Sequence, residues 1–104
     1  MENQLAFYVD FYVKEEKVQE WIASAKEVIN QMSKEETFVL SYMHQDANDK
    51  THFTLYERWN EKSMEDFIKN QLEDKEYRHE YEKKLPAMLK RDREFTVLKT
   101  LQAW

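Results

Sequence analysis

The sequence predicts an α+β fold of ferredoxin-like plan, a four-stranded antiparallel sheet with helices on one face. Three observations predict it. Apolar residues alternate with other residues in strand-length stretches. Between those stretches, apolar residues recur at steps of three and four, the helical period. The resulting order, β-α-β-β-α(α)-β, is two split βαβ units. The 104 residues suit one domain, residues 1–104, with a modest core.

Residues 5–13, LAFYVDFYV, form the first strand. Leu5, Phe7, Val9, Phe11 and Val13 share one face, and Ala6, Tyr8, Asp10 and Tyr12 share the other. The second face is aromatic rather than charged, so the strand is expected to be covered on both sides. Residues 15–33 form an amphipathic helix with Val18, Ile22, Ala25, Ile29 and Met32 as its stripe, widened by Trp21 and Val28. Glu15 and Glu16 suit its positive end. Residues 37–44 and 51–59 are strands joined by the polar turn QDANDK, most simply as an antiparallel hairpin. Residues 63–72 form a helix capped by Ser63, with Met64, Phe67, Ile68 and Leu72 inward. After an interruption at LEDKEY, a helix over 74–91 turns Tyr77, Tyr81, Leu85, Met88 and Leu89 inward, and Pro86 kinks it. Residues 94–103 form the last strand.

Helices on one sheet face leave the other exposed. That face carries Tyr8, Tyr12 and Tyr56, too apolar to be left in water. A two-fold homodimer with sheets packed face to face is therefore expected. Composition removes several function classes. The net charge of −5 argues against nucleic acid as the main partner. With no Cys there is no thiol nucleophile or thiolate metal site, and with no Gly there is no glycine-rich nucleotide loop. No amino-terminal signal or membrane-length apolar run stands out, so no membrane association and a cytoplasmic location are expected. Aromatics make up 14% of the chain, enough to fill a core, a pocket or an interface.

One residue breaks the pattern. In FTLYERW, residues 53–59, Glu57 lies on the strand face of Phe53, Leu55 and Trp59. A carboxylate on an apolar face needs a partner or has a task. It either closes the corner structurally or serves as a pocket base whose pKa apolar neighbours raise. Trp59 is a core or interface anchor, or a wall on which an aromatic ligand stacks. Tyr8, Tyr12, Tyr42 and Tyr56 are either dimer-face filler or donors to an oxyanion. His44 and His52 flank the polar turn and face each other in the simplest hairpin, but two ligands make a weak metal site, and no metal is assigned. Asp10 suits an ion pair or a bond to a Tyr. The basic run of residues 83–94 reads as a solvated helix end.

The motif F-x-L-Y-E-x-W at the end of the third strand, carried by Phe53, Leu55, Tyr56, Glu57 and Trp59, resembles the antibiotic biosynthesis monooxygenase family. The helix from Ser63, YEKKLPAML at 81–89 and the last strand are similar as well. The resemblance implies a dimeric α+β barrel. It also implies oxidation of a quinol or another small aromatic by O2, without metal, flavin or haem. In that chemistry the bound phenol loses a proton and the anion reacts with O2, so the protein supplies an apolar pocket, oxyanion donors and a base. The candidate catalytic residues are Glu57 and His79, of which His79 matches no family position and reads first as an exposed residue on a charged helix, and the candidate substrate-binding residues are Trp59, Tyr56, Phe67, Ile68 and Tyr8. Two departures stand out. Ile68 occupies the helix position where many relatives keep a His, and the usual Pro-Gly turn after the first strand is replaced by VKEEKV. Two further functions stay open: a non-catalytic dimeric binding or stress-related protein, and a haem-degrading relative for which His79 would have to supply the ligand.

Overall fold

The computed structural model describes residues 4–104. The reading of the amino terminus for a signal therefore lies partly outside the described residues, at 1–3. Strand β1 (Leu5–Tyr12) leads through a 3-10 turn (Glu15–Lys17) into helix α1 (Val18–Met32). Strands β2 (Phe38–Asp46) and β3 (Asp49–Trp59) follow, then a short helix α2 (Met64–Phe67) that continues as a π-helical turn (Ile68–Glu73). Helix α3 (Glu76–Met88) and strand β4 (Glu94–Leu98) complete the chain's regular structure. The sheet order is β2-β3-β1-β4, antiparallel throughout. This is the ferredoxin-like arrangement that the order of elements predicts.

Strand parity decides which residues meet. Val9 lies opposite Leu55 and Phe95, Phe11 opposite Phe53, and Phe7 opposite Glu57 and Val97. Against this inner face α1 lays Trp21, Ala25, Val28 and Met32, at steps of four, three and four. The buried ridge is thus centred one position round from the predicted stripe, and Ile22 and Ile29 become its half-buried flank. Tyr81, Leu85 and Met88 of α3 and Phe67 of α2 close the core. The aromatic rings pack tilted or edge to face, with Trp21 4.9 Å from Phe11 and Phe67 5.0 Å from Phe7 and from Trp59.

Four expected boundaries shift, each for a local reason. The β2–β3 turn tightens to Ala47 and Asn48 because Asp46 and Asp49 pair across it, and their carboxylates accept the amides of Asn48 and Thr51. The register sets His44 opposite Thr54, so His44 and His52 do not face each other. Ser63 caps α2 as expected, accepting Asp66 N–H at 3.1 Å, but regular helix lasts only to Phe67. The π turn beyond it aims Asn70 and Gln71 at Glu61, which is buried and also accepts Thr37 Oγ1 at 2.8 Å. Helix α3 stops at Met88, two residues past Pro86, whose missing N–H leaves the carbonyl four residues back without a helical donor. Strand β4 ends at Leu98 because its partner Ala6 lies next to the first residue of β1.

Trp21 is fully buried and joins β1, β3 and α3 through two ring contacts and one hydrogen bond. Trp21→Ala is expected to cost about 3–5 kcal/mol in urea unfolding, the range for emptying a large aromatic site.

Candidate functional site

Glu57 enters the core because β3 alternates and its inner face already holds Phe53, Leu55 and Trp59. It is 3% exposed. Trp59, one step along the same face, donates its indole N–H to Glu57 Oε1 at 2.8 Å. Burial pushes the carboxyl pKa up, while the indole N–H and the guanidinium charges of Arg78 and Arg93 pull the other way. A cavity of about 20 Å3 borders Glu57 and is walled by Phe7, Phe67, Arg78, Tyr81, Arg93 and Phe95.

Helix α3 supplies the opposite wall. Arg78, Tyr81, Leu85 and Met88 recur at three, four and three, so an arginine shares the buried stripe. Arg78 donates through Nη1 to Met32 Sδ at 2.7 Å and through Nη2 to Glu82 Oε2 at 3.0 Å. Arg93, half-buried just before β4, donates to both carboxylate oxygens of Glu82, a bidentate pair. Its guanidinium also lies 5.1 Å from the centroid of Phe95. The basic run around residue 90 is therefore only partly solvated, because Arg93 turns inward. Tyr81 accepts the Trp21 indole N–H at 3.1 Å, and burial pushes its phenol up to about 12, so it remains a donor at neutral pH.

Of the residues singled out from sequence, Glu57, Trp59 and Phe67 come together at this cavity and its wall. Ile68 packs against the core as the first residue of the π turn. Tyr8 and Tyr56 pair with each other on the opposite face of the sheet, where strand parity puts them, away from Glu57. His79 is exposed on the helix side, in an open groove with Leu72 and Glu76, and does not line the Glu57 cavity. Its Nε2 donates to the Glu73 carbonyl at 2.8 Å, since a carbonyl only accepts. A haem ligated by His79 does not fit the Glu57 cavity, which has room for about one water. The residues that sequence reading missed are Arg78, Tyr81, Glu82 and Arg93. The signal for Arg78 was present, a charge at a stripe position of a helix.

The outer sheet face holds a second polar cluster. His52 sits between Asp10 Oδ1 at 2.8 Å and Asp46 Oδ2 at 3.2 Å, so each ring nitrogen meets a carboxylate. The ring stacks on Tyr12 at 4.7 Å, and the Arg91 guanidinium lies over the same Tyr12 ring at 3.8 Å. The Asp10 bond, with Asp46 in support, holds the His52 pKa above its usual range. Asp10 thus pairs with a histidine rather than with a tyrosine. Among the described residues no group of three or more His, Cys, Asp or Glu is arranged to hold a metal ion. Among them, too, no helix is long and apolar enough to cross a membrane.

The fold and the buried carboxyl beside a Trp on the third strand define a class, ferredoxin-like α+β proteins with a small cavity between helices and sheet. The chain belongs to the antibiotic biosynthesis monooxygenase family, whose pattern it matches over residues 6–71. Solved structures share the fold. The crystal structure of an antibiotic biosynthesis monooxygenase superposes with a TM-score of 0.82 at 14% identity, covering 94% of this chain and 99% of that one. A conserved protein from Methanosarcina mazei Go1 gives 0.81 at 21% identity, covering 94% and 93%. Rv0793 from Mycobacterium tuberculosis gives 0.82 at 16% identity, covering 96% and 97%. A search of curated proteins returned no match.

Because the folded pKa of Glu57 is raised above its ordinary 4.5, the protonated acid stabilises the fold fully below that value. The contribution is lost as pH rises through the folded value. Glu57→Gln cannot ionise and keeps an oxygen for Trp59. Its unfolding free energy relative to the native chain is expected to improve from pH 5 to pH 8. Urea unfolding at both pH values checks this, and an unchanged difference would contradict it.

Proposed function

We propose that this chain is a cofactor-independent monooxygenase that oxidises a small quinol-type aromatic with O2. The observation that carries the reading is the gathering of one buried carboxyl, one phenol and two guanidiniums around a single space in an aromatic core. Glu57 is the base. Apolar burial makes its carboxylate a stronger proton acceptor, and the nearby guanidiniums favour the ionised form it needs. Arg78, Arg93 and the Tyr81 O–H are donors for charge that develops on substrate oxygen or on reduced oxygen. The overall change balances as quinol plus O2 giving hydroxyquinone plus water, with dioxygen taking four electrons from the ring. Neither metal nor organic cofactor has a role in this scheme.

The cavity beside Glu57 is too small for a ring, so the aromatic needs another berth. A groove of about 490 Å3, within the range for small-molecule sites, runs along α3 past Leu85, Pro86 and Leu89 to Arg93 and Phe95. Arg93 and Phe95 line both spaces. In this reading they are the partition, and their displacement brings a phenolic edge to Glu57. Expected in oxygen-electrode assays without added metal is O2 uptake with one or more members of a quinol and anthrone panel. Glu57→Gln should lower the rate by roughly 10²–10⁴-fold, the usual weight of a general base. Uptake no faster than in buffer across the panel would discard the reading. It would favour a non-catalytic binding protein, which the small cavity and Ile68 also suit.

The working unit in this proposal is a homodimer joined through the outer sheet face. That face holds Tyr8, Leu40, Tyr42, Tyr56 and Leu98, and Tyr42 is 57% exposed. Beyond β4, Leu101 and Trp104 are 88% and 103% exposed, an apolar load more easily borne against a second copy than in water. Light scattering on the eluting protein is expected to give twice the 12.9 kDa chain mass. A monomer at micromolar concentration would overturn the dimer.

A further inference from the structure

At the end of β1 one proton decides a hydrogen-bond balance. His52 Nε2 lies 2.8 Å from Asp10 Oδ1, and its Nδ1 lies 3.2 Å from Asp46 Oδ2. A carboxylate oxygen only accepts, and a neutral imidazole carries a single N–H. Both bonds therefore exist only while His52 holds two ring protons. A neutral ring sets a lone pair against one of the two carboxylates. The His52 and Asp10 side chains are 20% and 17% exposed, so water replaces a lost bond only in part. The Asp10 bond outweighs the cost of burial and, with Asp46 adding to it, holds the His52 pKa above its ordinary 6.5.

The triad joins three strands at one corner, since Asp10 is on β1, Asp46 ends β2 and His52 is on β3. The connection from α3 to β4 rests on the same corner. Its Arg91 guanidinium lies over the Tyr12 ring on which His52 stacks. Its Lys90 donates through Nζ to Thr51 Oγ1 at 2.8 Å, and through its backbone N–H to the Tyr12 carbonyl at 2.7 Å. Val13 N–H donates to the Thr51 carbonyl at 2.8 Å, next to His52.

We propose that Asp10, His52 and Asp46 form a pH-operated latch, closed with two protons on His52 and open with one, that pins the β2–β3 hairpin and the α3–β4 connection to the end of β1. The inference rests on donor and acceptor balance, and on neither aromatic oxidation nor the dimer. The charged and titratable groups that adjoin the ring come from every strand and from the connection. Strand β1 presents Asp10 and Tyr12, β2 presents Asp46, and β3 itself presents Asp49, whose charge also acts on His52. Strand β4 sets Glu94 opposite Asp10, and β2 sets His44 in the same row beyond Thr54. The connection presents Lys90 and Arg91. Four carboxyls against two fixed cations favour the doubly protonated ring. Because the folded pKa is raised, the latch's contribution to stability is fully present below 6.5 and is lost as pH rises through the folded value.

The test is an NMR titration of the full chain from pH 6 to pH 9. It follows the His52 ring nitrogens together with hydrogen exchange at the Val13 and Lys90 amides, corrected for the intrinsic rate at each pH. Expected are two ring protons on His52 at pH 6, and protection at both amides that falls by about threefold or more as His52 loses one. The Asn60 amide, bonded to the Thr37 carbonyl at the opposite end of the sheet, is the control, and its protection is not expected to follow His52. Asp10→Asn is expected to lower the pH at which His52 titrates and to carry the loss of protection down with it. His52→Gln, which cannot titrate, is expected to give a flat profile at Val13 and Lys90. A native His52 that titrates at or below 6.5 overturns the latch, as does protection at Val13 and Lys90 that ignores the His52 proton or merely parallels Asn60. Should either variant fail to fold, the native titration with its Asn60 control decides alone. None of these readouts measures oxygen uptake or molecular mass, so a failed latch and a failed oxidation or dimer test are separate results.

Discussion

The structure depends on one costly act, burying the Glu57 carboxyl in the middle of an aromatic sheet face. Strand β3 lies inside the sheet, between β2 and β1, and position 57 is on its inner face, 3% exposed. A lone carboxylate there would be prohibitive. The fold answers with neutral and charged partners from three directions: the Trp59 indole from the same strand, Arg78 from α3, and Arg93 from the chain that leads into β4. Those guanidiniums need an anion of their own, and Glu82 serves both. Deleting any one member leaves another group buried and unmatched. Such a cluster is poor evidence for added stability and better evidence for a constrained, specific arrangement.

The elements that bear on this cluster are the ones whose ends depart from simple periodicity. Helix α2 yields after four residues to a π turn, and that turn carries Asn70 and Gln71 to Glu61, a second buried carboxyl. This anchors the α2 region to the start of β2 through Thr37. It also fixes Phe67 against Phe7 and Trp59 at the edge of the cavity. Besides Glu57, the charged groups at the cavity come from α3 and the β4 lead-in.

The same reasoning that flagged Glu57 would have flagged Arg78. A charge at an apolar position of a period-2 strand stood out in FTLYERW, because its neighbours on that face are Phe, Leu and Trp. Arg78 breaks a period of 3.6 instead, and it lies in EYRHEYEKK, where charges surround it in sequence and hide the stripe. Arg93 could not be found in this way. It belongs to a basic connection with no periodicity, and only the docking of β4 beside β1 turns it toward Glu82. His52 is a similar case. Its partner Asp10 is 42 residues away in sequence, brought near by the β1–β3 register, in which His52 pairs with the neighbouring Tyr12.

By itself the sequence determined the order of elements, the two faces of β1 and β3, the cap at Ser63 and the placing of Glu57 on an apolar face. All of these follow from local periodicity and from the two-sided geometry of a strand. Only the tertiary structure decided that Arg78, Tyr81 and Arg93 gather at that carboxyl with Glu82 pairing both arginines, that Tyr8 and Tyr56 turn away from it, and that the space left is the size of one water. Convergence depends on how α3 and β4 dock on the sheet, and cavity size depends on how side chains from six elements interdigitate. Both are long-range packing outcomes, and no pattern within a single segment encodes them.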